Sequence, residues 1–212
     1  MKYDLYVITD ETIAGGLTHA EIAERAIAGG ADVIQLRGKT CGCRELCQTG
    51  RTLRTITRKT GTLFIVNDRL DVALACEADG VHIGQEDIRP DVARQLAQPG
   101  FIIGVSVRTV DEAVRAEQEG ADYISPSPVF STASKHDAGQ GLGLELVREI
   151  RQRVSVPVIA IGGITLDNVT EVIAAGADGV AVISAVVGSR NITQAARELR
   201  KQILESKAAQ RL

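Results

Sequence analysis

A chain of 212 residues with 44% apolar and 24% charged residues can bury a sizeable core, and its formal net charge of −3 is spread over both signs without a basic stripe. Three Tyr, three Phe and no Trp leave few platforms for stacking bases, so a nucleic-acid partner is not expected. The start Met1-Lys2-Tyr3-Asp4-Leu5 has no apolar run of signal-peptide length, and no later stretch approaches the roughly 18 apolar residues of a membrane span. A soluble, cytoplasmic protein with no membrane partner is therefore expected.

Eight apolar runs follow one another along the chain: Leu5–Thr9, Val33–Arg37, Leu63–Asp68, Val81–Gly84, Ile102–Val107, Tyr123–Ser127, Val158–Gly162 and Val180–Ser184. Their cores are continuous rather than alternating, the mark of parallel strands covered on both faces. Helical stretches such as Thr18–Ala28, Glu45–Arg58, Val110–Glu119, Leu144–Arg153, Leu166–Ala175 and Ile192–Leu204 lie between them, with Thr18, Thr109, Thr165 and Asn191 as expected caps. Gly-Ala-Asp recurs at Gly30-Ala31-Asp32, Gly120-Ala121-Asp122 and Gly176-Ala177-Asp178, with a looser Glu77-Ala78-Asp79-Gly80. Each echo follows an alanine-rich stretch and precedes an apolar run, so the glycine ends a helix and the chain turns into a strand. One echo falls in each pair of β/α units.

Strict alternation over eight units predicts an α/β fold, a (β/α)8 TIM barrel formed as a single domain over residues 1–212. A doubly wound sheet would carry its phosphate glycines after the first strand, where this chain has Ile8-Thr9-Asp10-Glu11. Four cysteines, Cys41, Cys43, Cys47 and a distant Cys76, lack the fourth ligand and the nearby histidine that a zinc site needs, and are expected to be structural thiols.

In such a barrel the active site lies at the C-terminal ends of the strands. Those ends carry Gln35, Arg37 and Lys39, then Asn67 and Asp68, then Gln85-Glu86-Asp87, then Ser106. A loop with Thr132, Ser134 and Lys135, the pair Gly162-Gly163, and Ile183-Ser184 complete the rim. Asp68 and Asp87 follow adjacent strands, whose backbones lie about 4.8 Å apart. Two carboxylates that close favour a bridging cation, and Mg2+ suits one or two carboxylates plus phosphate oxygens. The alternative is a helix cap at Asp68 and a turn at Asp87. Gly162-Gly163, after the seventh strand, suits a phosphate held on backbone N–H groups, or else simply makes a tight turn. Arg37, Lys39 and Lys135 together exceed the need of one phosphate beside a metal, which points to two phosphorylated groups.

These segments, Gln35-Leu36-Arg37-Gly38-Lys39, Val66-Asn67-Asp68, His82-Ile83-Gly84-Gln85-Glu86-Asp87, Gly104-Val105-Ser106, Thr132-Ala133-Ser134-Lys135, Ile161-Gly162-Gly163-Ile164 and Ile183-Ser184, resemble the thiamine-phosphate synthase family in order over nearly the whole chain. The resemblance implies a transferase that joins a hydroxymethylpyrimidine diphosphate to a thiazole phosphate, in either thiazole tautomer, with loss of pyrophosphate. It implies that Gln35, Arg37, Lys39, Asn67, Ser106 and Lys135 hold the diphosphate, with Arg37, Ser106 and Lys135 as catalytic groups. Asp68 and Asp87 would bind one Mg2+, and Thr132, Ser134, Gly163, Ile183 and Ser184 would hold the thiazole phosphate. Two departures fall on the thiazole side. Ser125-Pro126-Ser127-Pro128 stands where the family has Gly-x-Gly-Pro, and Thr132-Ala133-Ser134-Lys135 where it has Thr-x-Thr-Lys.

A thiazole isomerase of the same barrel type, using His82 or His136 as proton carrier, and a non-catalytic phosphate-ester binder stay open as alternatives, as does a homo-oligomer. The segment Ser131–Gly141, long for a barrel connection and rich in small residues, is expected to form a lid carrying Lys135.

Overall fold

A computed structural model describes residues 2–132 and 140–210. Eight strands form the sheet: β1 (Leu5–Thr9), β2 (Val33–Leu36), β3 (Leu63–Asn67), β4 (Gly80–Ile83), β5 (Ile102–Val107), β6 (Tyr123–Pro126), β7 (Ile159–Ile161) and β8 (Gly179–Val182). They alternate with α1 (His19–Ala28), α2 (Cys43–Thr60), α3 (Leu70–Ala75), α4 (Pro90–Leu96), α5 (Val110–Gln118), α6 (Gly143–Arg153), α7 (Val169–Ala174), the short α8 (Ser184–Val187) and α9 (Ile192–Ala209). No described helix is long and apolar enough to cross a membrane.

All neighbouring strands are parallel, in the order β6-β5-β4-β3-β2-β1-β8-β7, which leaves only β6 and β7 to meet. They meet through the bridge Ile124–Val158 and through Ile124 N–H donating to Pro157 O. Pro126 has no N–H to extend that ladder. The buried Ser125 hydroxyl instead donates to Ile159 O at 2.6 Å and ties the seam. This serine thus fastens a nearly closed barrel.

Alternate residues of each strand point to opposite sides. Tyr6 and Ile8, Val33, Ile65, Ile102, Tyr123, Ile159 and Ala181 fill the barrel interior. Leu5 and Val7, Ile34, Phe64, Val81, Ile103 and Val180 pack outward under the helices. Burial on both sides explains the unbroken apolar runs. Gly104 leaves room for the Tyr123 ring, which any Cβ there would strike.

The Gly-Ala-Asp echo builds the N-terminal end of the barrel. Asp32, Asp79, Asp122 and Asp178 precede the even-numbered strands. Each accepts a backbone N–H at or beside the start of the strand before it: Leu5 (3.0 Å), Phe64 (2.8 Å), Ile103 (2.7 Å) and Val158 (2.8 Å). Each also pairs with an arginine from the helical layer, respectively Arg200, Arg54, Arg94 and Arg151. Asp79→Ala should lower stability by about 2 kcal/mol, because it strands the Phe64 N–H and the mostly buried Arg54. Urea unfolding checks this: the midpoint should fall at an unchanged slope. A fall no larger than that of the exposed Asp167→Ala would remove the staple.

Three expectations need correction. Thr165 is not a cap, and α7 starts at Val169 instead of Leu166. Thr165 N–H donates to Asn168 Oδ1 (2.8 Å) and Asn168 Nδ2 donates to Gly163 O (3.0 Å), so these residues brace the turn after β7. Arg37, Asp68, Gly84, Ser127, Gly162 and Ser184 lie just beyond their strands. At Asp68 (φ 61°) and Gly162 (φ 105°) the backbone turns into the left-handed half of conformational space and pairing stops. Cys76, distant in sequence, lies beside the cluster, its thiol 3.3 Å from Cys47 O, because α3 packs on α2. The cysteines still form no metal-binding group with His, Asp or Glu among the described residues.

Candidate active site

The C-terminal ends of β2 to β5 surround a cavity of about 420 Å³. Arg37, Lys39 and Arg108 bring cations to it, and Asp68, Glu86 and Asp87 bring carboxylates. Asn67, His82, Ser106 and Ser127 add further polar groups.

Arg37 is nearly buried just past β2, where its Nη1 donates to Asp10 Oδ2 at 2.8 Å. The other Asp10 oxygen accepts the N–H groups of Thr12 and Ile13, both at 3.1 Å. Asp10 therefore joins the loop after β1 to Arg37 and fixes the guanidinium at the cavity wall. Sequence reasoning missed Asp10, whose only signal is its place directly after the first strand.

Asp68 adopts φ 61° and donates its N–H to His82 O at 2.8 Å. Left-handed backbone is uncommon outside glycine, though Asp and Asn tolerate it, and it turns the carboxylate away from the strand direction. Asp87 Oδ2 accepts the Gly84 N–H at 2.7 Å and closes a turn. Gln85 Nε2 donates to Ser106 O at 2.8 Å and holds the end of β5. Ser106 Oγ lies 2.8 Å from His82 Nε2.

A second recess, about 30 Å³, sits between the ends of β6, β7 and β8. Thr132, Gly162, Gly163, Ile183 and Ser184 line it, and Ser127 is shared with the larger cavity. Gly163 (φ 63°) admits no side chain, since a Cβ would lie 2.7 Å from Phe130 Cβ and from Ser131 O. The backbone here is bare and close to the recess.

Of the expected residues, Arg37, Lys39, Asn67, Asp68, Asp87 and Ser106 converge on the larger cavity. Thr132, Gly163, Ile183 and Ser184 converge on the smaller one. Gln35 lines neither: at 2% exposure its Nε2 donates to Tyr6 OH at 2.7 Å inside the barrel. Ser134, Lys135 and His136 lie outside the described residues, as does most of the expected lid. Arg108 was not anticipated, and its signal was a position two residues past Ser106; Ser127 stood out only as a departure at the end of the sixth strand.

Larger clefts open on the opposite face, but there Arg54 pairs with Asp79 at 2.8 Å and Arg58 with Glu77 at 2.6 Å. That end serves stability.

A barrel with cations and carboxylates around one cavity at the C-terminal strand ends, and a glycine-walled recess beside it, has the layout of a (β/α)8 enzyme. The chain belongs to the thiamine monophosphate synthase family, whose model matches residues 5–186. It is 64% identical over 207 residues to the thiamine-phosphate synthase of Methanoregula boonei, covering 98% of this chain and 96% of that one. To the thiamine-phosphate synthase of Moorella thermoacetica it is 52% identical, covering 97% and 98%. The solved thiamine phosphate pyrophosphorylase from Pyrococcus furiosus superposes with a TM-score of 0.89 at 46% identity, over 96% of each chain. A 3-hexulose-6-phosphate synthase, at 18% identity and a TM-score of 0.69 over 94% of this chain and 99% of that one, shares the fold alone.

Proposed function

We propose that this chain is the transferase that joins a hydroxymethylpyrimidine diphosphate to a thiazole phosphate, releasing pyrophosphate and forming thiamine phosphate. The observation that carries this reading is the pair of cavities meeting at Ser127, one rich in charge and one walled by glycine backbone. The first suits a diphosphate, the second a monophosphate, and the shared serine marks where the two heterocycles would meet.

The reaction needs no side-chain nucleophile. The bond from the pyrimidine methylene carbon to the diphosphate oxygen breaks and its electron pair leaves with pyrophosphate. The amino-pyrimidine spreads the positive charge, and the thiazole nitrogen lone pair forms the new C–N bond. Arg37, held by Asp10, and Lys39 and Arg108 offset the charge that builds on the leaving oxygens. Asn67 and Ser106 supply neutral hydrogen bonds on the same wall; Lys135, assigned to the diphosphate, and Ser134, assigned to the thiazole phosphate, lie outside the described residues. Thr132, Gly163, Ile183 and Ser184 hold the thiazole phosphate so that its nitrogen faces the methylene carbon.

The donor set suits Mg2+. Asp68 and Asp87 would offer two hard carboxylate oxygens on one cavity. A cation that takes one or two protein carboxylates and completes its shell with water and phosphate oxygens matches that sparse site. When bound, it supplies charge neutralisation to the departing pyrophosphate.

The isomerase alternative asks for a histidine that moves protons. Both ring nitrogens of His82 are engaged, with Tyr123 OH at 2.9 Å and Ser106 Oγ at 2.8 Å, which favours the synthase reading. The reading places one domain, residues 1–212, in the cytoplasm with these small-molecule partners. Purified protein mixed with both phosphorylated heterocycles and Mg2+ should yield thiamine phosphate and pyrophosphate in equal amounts. Binding of both esters without product would make the chain a binder instead.

A further inference from the structure

Five polar side chains form a continuous hydrogen-bonded line through the otherwise apolar barrel interior. Gln35 Nε2 donates to Tyr6 OH at 2.7 Å, and Tyr6 OH lies 3.1 Å from Tyr123 OH. Tyr123 OH lies 2.9 Å from His82 Nδ1, and His82 Nε2 lies 2.8 Å from Ser106 Oγ. Gln35, Tyr6, Tyr123 and His82 are all buried, and the line reaches the cavity wall at His82 and Ser106. Burial holds both phenols well above their ordinary pKa, so each keeps its single proton.

That single proton gives the line a direction. The Gln35 amide nitrogen can only donate, so Tyr6 OH accepts there and its own proton goes to Tyr123. Tyr123, having accepted, donates to His82 Nδ1. A ring nitrogen that accepts carries no proton, so in this arrangement a neutral His82 would hold its proton on Nε2, facing Ser106 Oγ. Ser106 accepts from inside and turns its hydroxyl proton outward. With the line broken, Ser106 could spend that proton on His82 Nε2 and present a lone pair to the cavity. A phosphate oxygen would be repelled by the second arrangement and bound by the first.

We propose that the line Gln35–Tyr6–Tyr123–His82 is a positioning device that locks Ser106 as a hydrogen-bond donor to an acceptor atom of the bound diphosphate substrate. The inference rests on the proposed function for the identity of the ligand, but the order of protons is a property of the free protein. Orientation set in advance costs no reorganisation when charge develops on the leaving group.

The tautomer of His82 tests this without substrate. In protein labelled with 15N-histidine, with His82 assigned by loss of its signals in His82→Gln, the free enzyme should carry its directly bonded proton on Nε2. A proton on Nδ1 and none on Nε2 means that His82 donates to Tyr123 and Ser106 donates inward to His82, which overturns the proposal. A second test uses turnover. Tyr123→Phe removes the donor to Nδ1 and should lower kcat by about tenfold, one hydrogen bond's worth, with the KM for the thiazole phosphate unchanged. Tyr6→Phe leaves Tyr123 able to donate to His82 and should cost clearly less. Equal losses in the two variants, or none in Tyr123→Phe, would mark the tyrosines as packing only. Should Tyr123→Phe fail to fold, the parent spectrum decides alone.

Discussion

Asp68→Asn should lower kcat/KM for the pyrimidine diphosphate by about 10²- to 10³-fold, and move the Mg2+ requirement to higher concentration, with an unchanged melting temperature. Asp68 holds φ 61° and gives its N–H to His82 O. Asparagine accepts that backbone as readily as aspartate, so the substitution removes charge and little else. Alanine there would add roughly 1–2 kcal/mol of backbone cost and blur the result. Asp87→Asn is the companion variant, because an amide oxygen can still accept the Gly84 N–H that Oδ2 now takes. Pyrophosphate release followed across a Mg2+ titration reads both. A titration curve identical to the parent's in either variant takes that carboxylate out of the metal site.

The second large effect concerns Arg37, and it needs a double variant to be legible. Arg37 and Asp10 are only 9% and 15% exposed, so removing the guanidinium alone leaves a largely buried carboxylate without its cation. Such a loss destabilises by about 3–5 kcal/mol and could empty the fold before it touches the chemistry. Arg37→Gln with Asp10→Asn removes both charges together and keeps hydrogen-bonding groups in place. This variant should lose on the order of 10²-fold in kcat/KM for the diphosphate, with the KM for the thiazole phosphate nearly unchanged. Ser184→Ala should do the reverse, raising the KM for the thiazole phosphate by about tenfold, one hydrogen bond to phosphate. Steady-state kinetics with each substrate varied in turn separates the two. Equal effects on both substrates from both variants would abolish the division of the mouth into a diphosphate end and a monophosphate end.

Much of this architecture is local and therefore written in the chain. Apolar runs of strand length separated by helical stretches recur eight times, and the Gly-Ala-Asp echo marks where helices end and even-numbered strands begin. Those signals act over a few residues, through turn conformation, capping and side-chain periodicity. Position at a strand end then placed Arg37, Asp68, Asp87 and Ser106 at one mouth without any coordinates, since a parallel barrel brings all its strand ends to the same side. Where the local signals competed, they misled: Thr165 looked like a cap, but Asn168 claims its N–H and delays the helix to Val169.

What only the tertiary structure decided is partnership. Asp10 finds Arg37 across 27 positions, Tyr6 finds Tyr123 across 117, and His82 finds Ser106 across 24. Gln35, which the family resemblance assigned to the ligand, faces inward to Tyr6 because its place in β2 lies in the residue set that points into the barrel. Each of these contacts exists because eight strands curl until their inner faces meet, and no window of neighbouring residues contains that closure. The chain alone determined that there would be a barrel and which end of it would carry charge. The choice of partners, and with it the direction in which Ser106 turns its proton, came only when distant polar groups were shut into one dry interior where each must find a hydrogen bond.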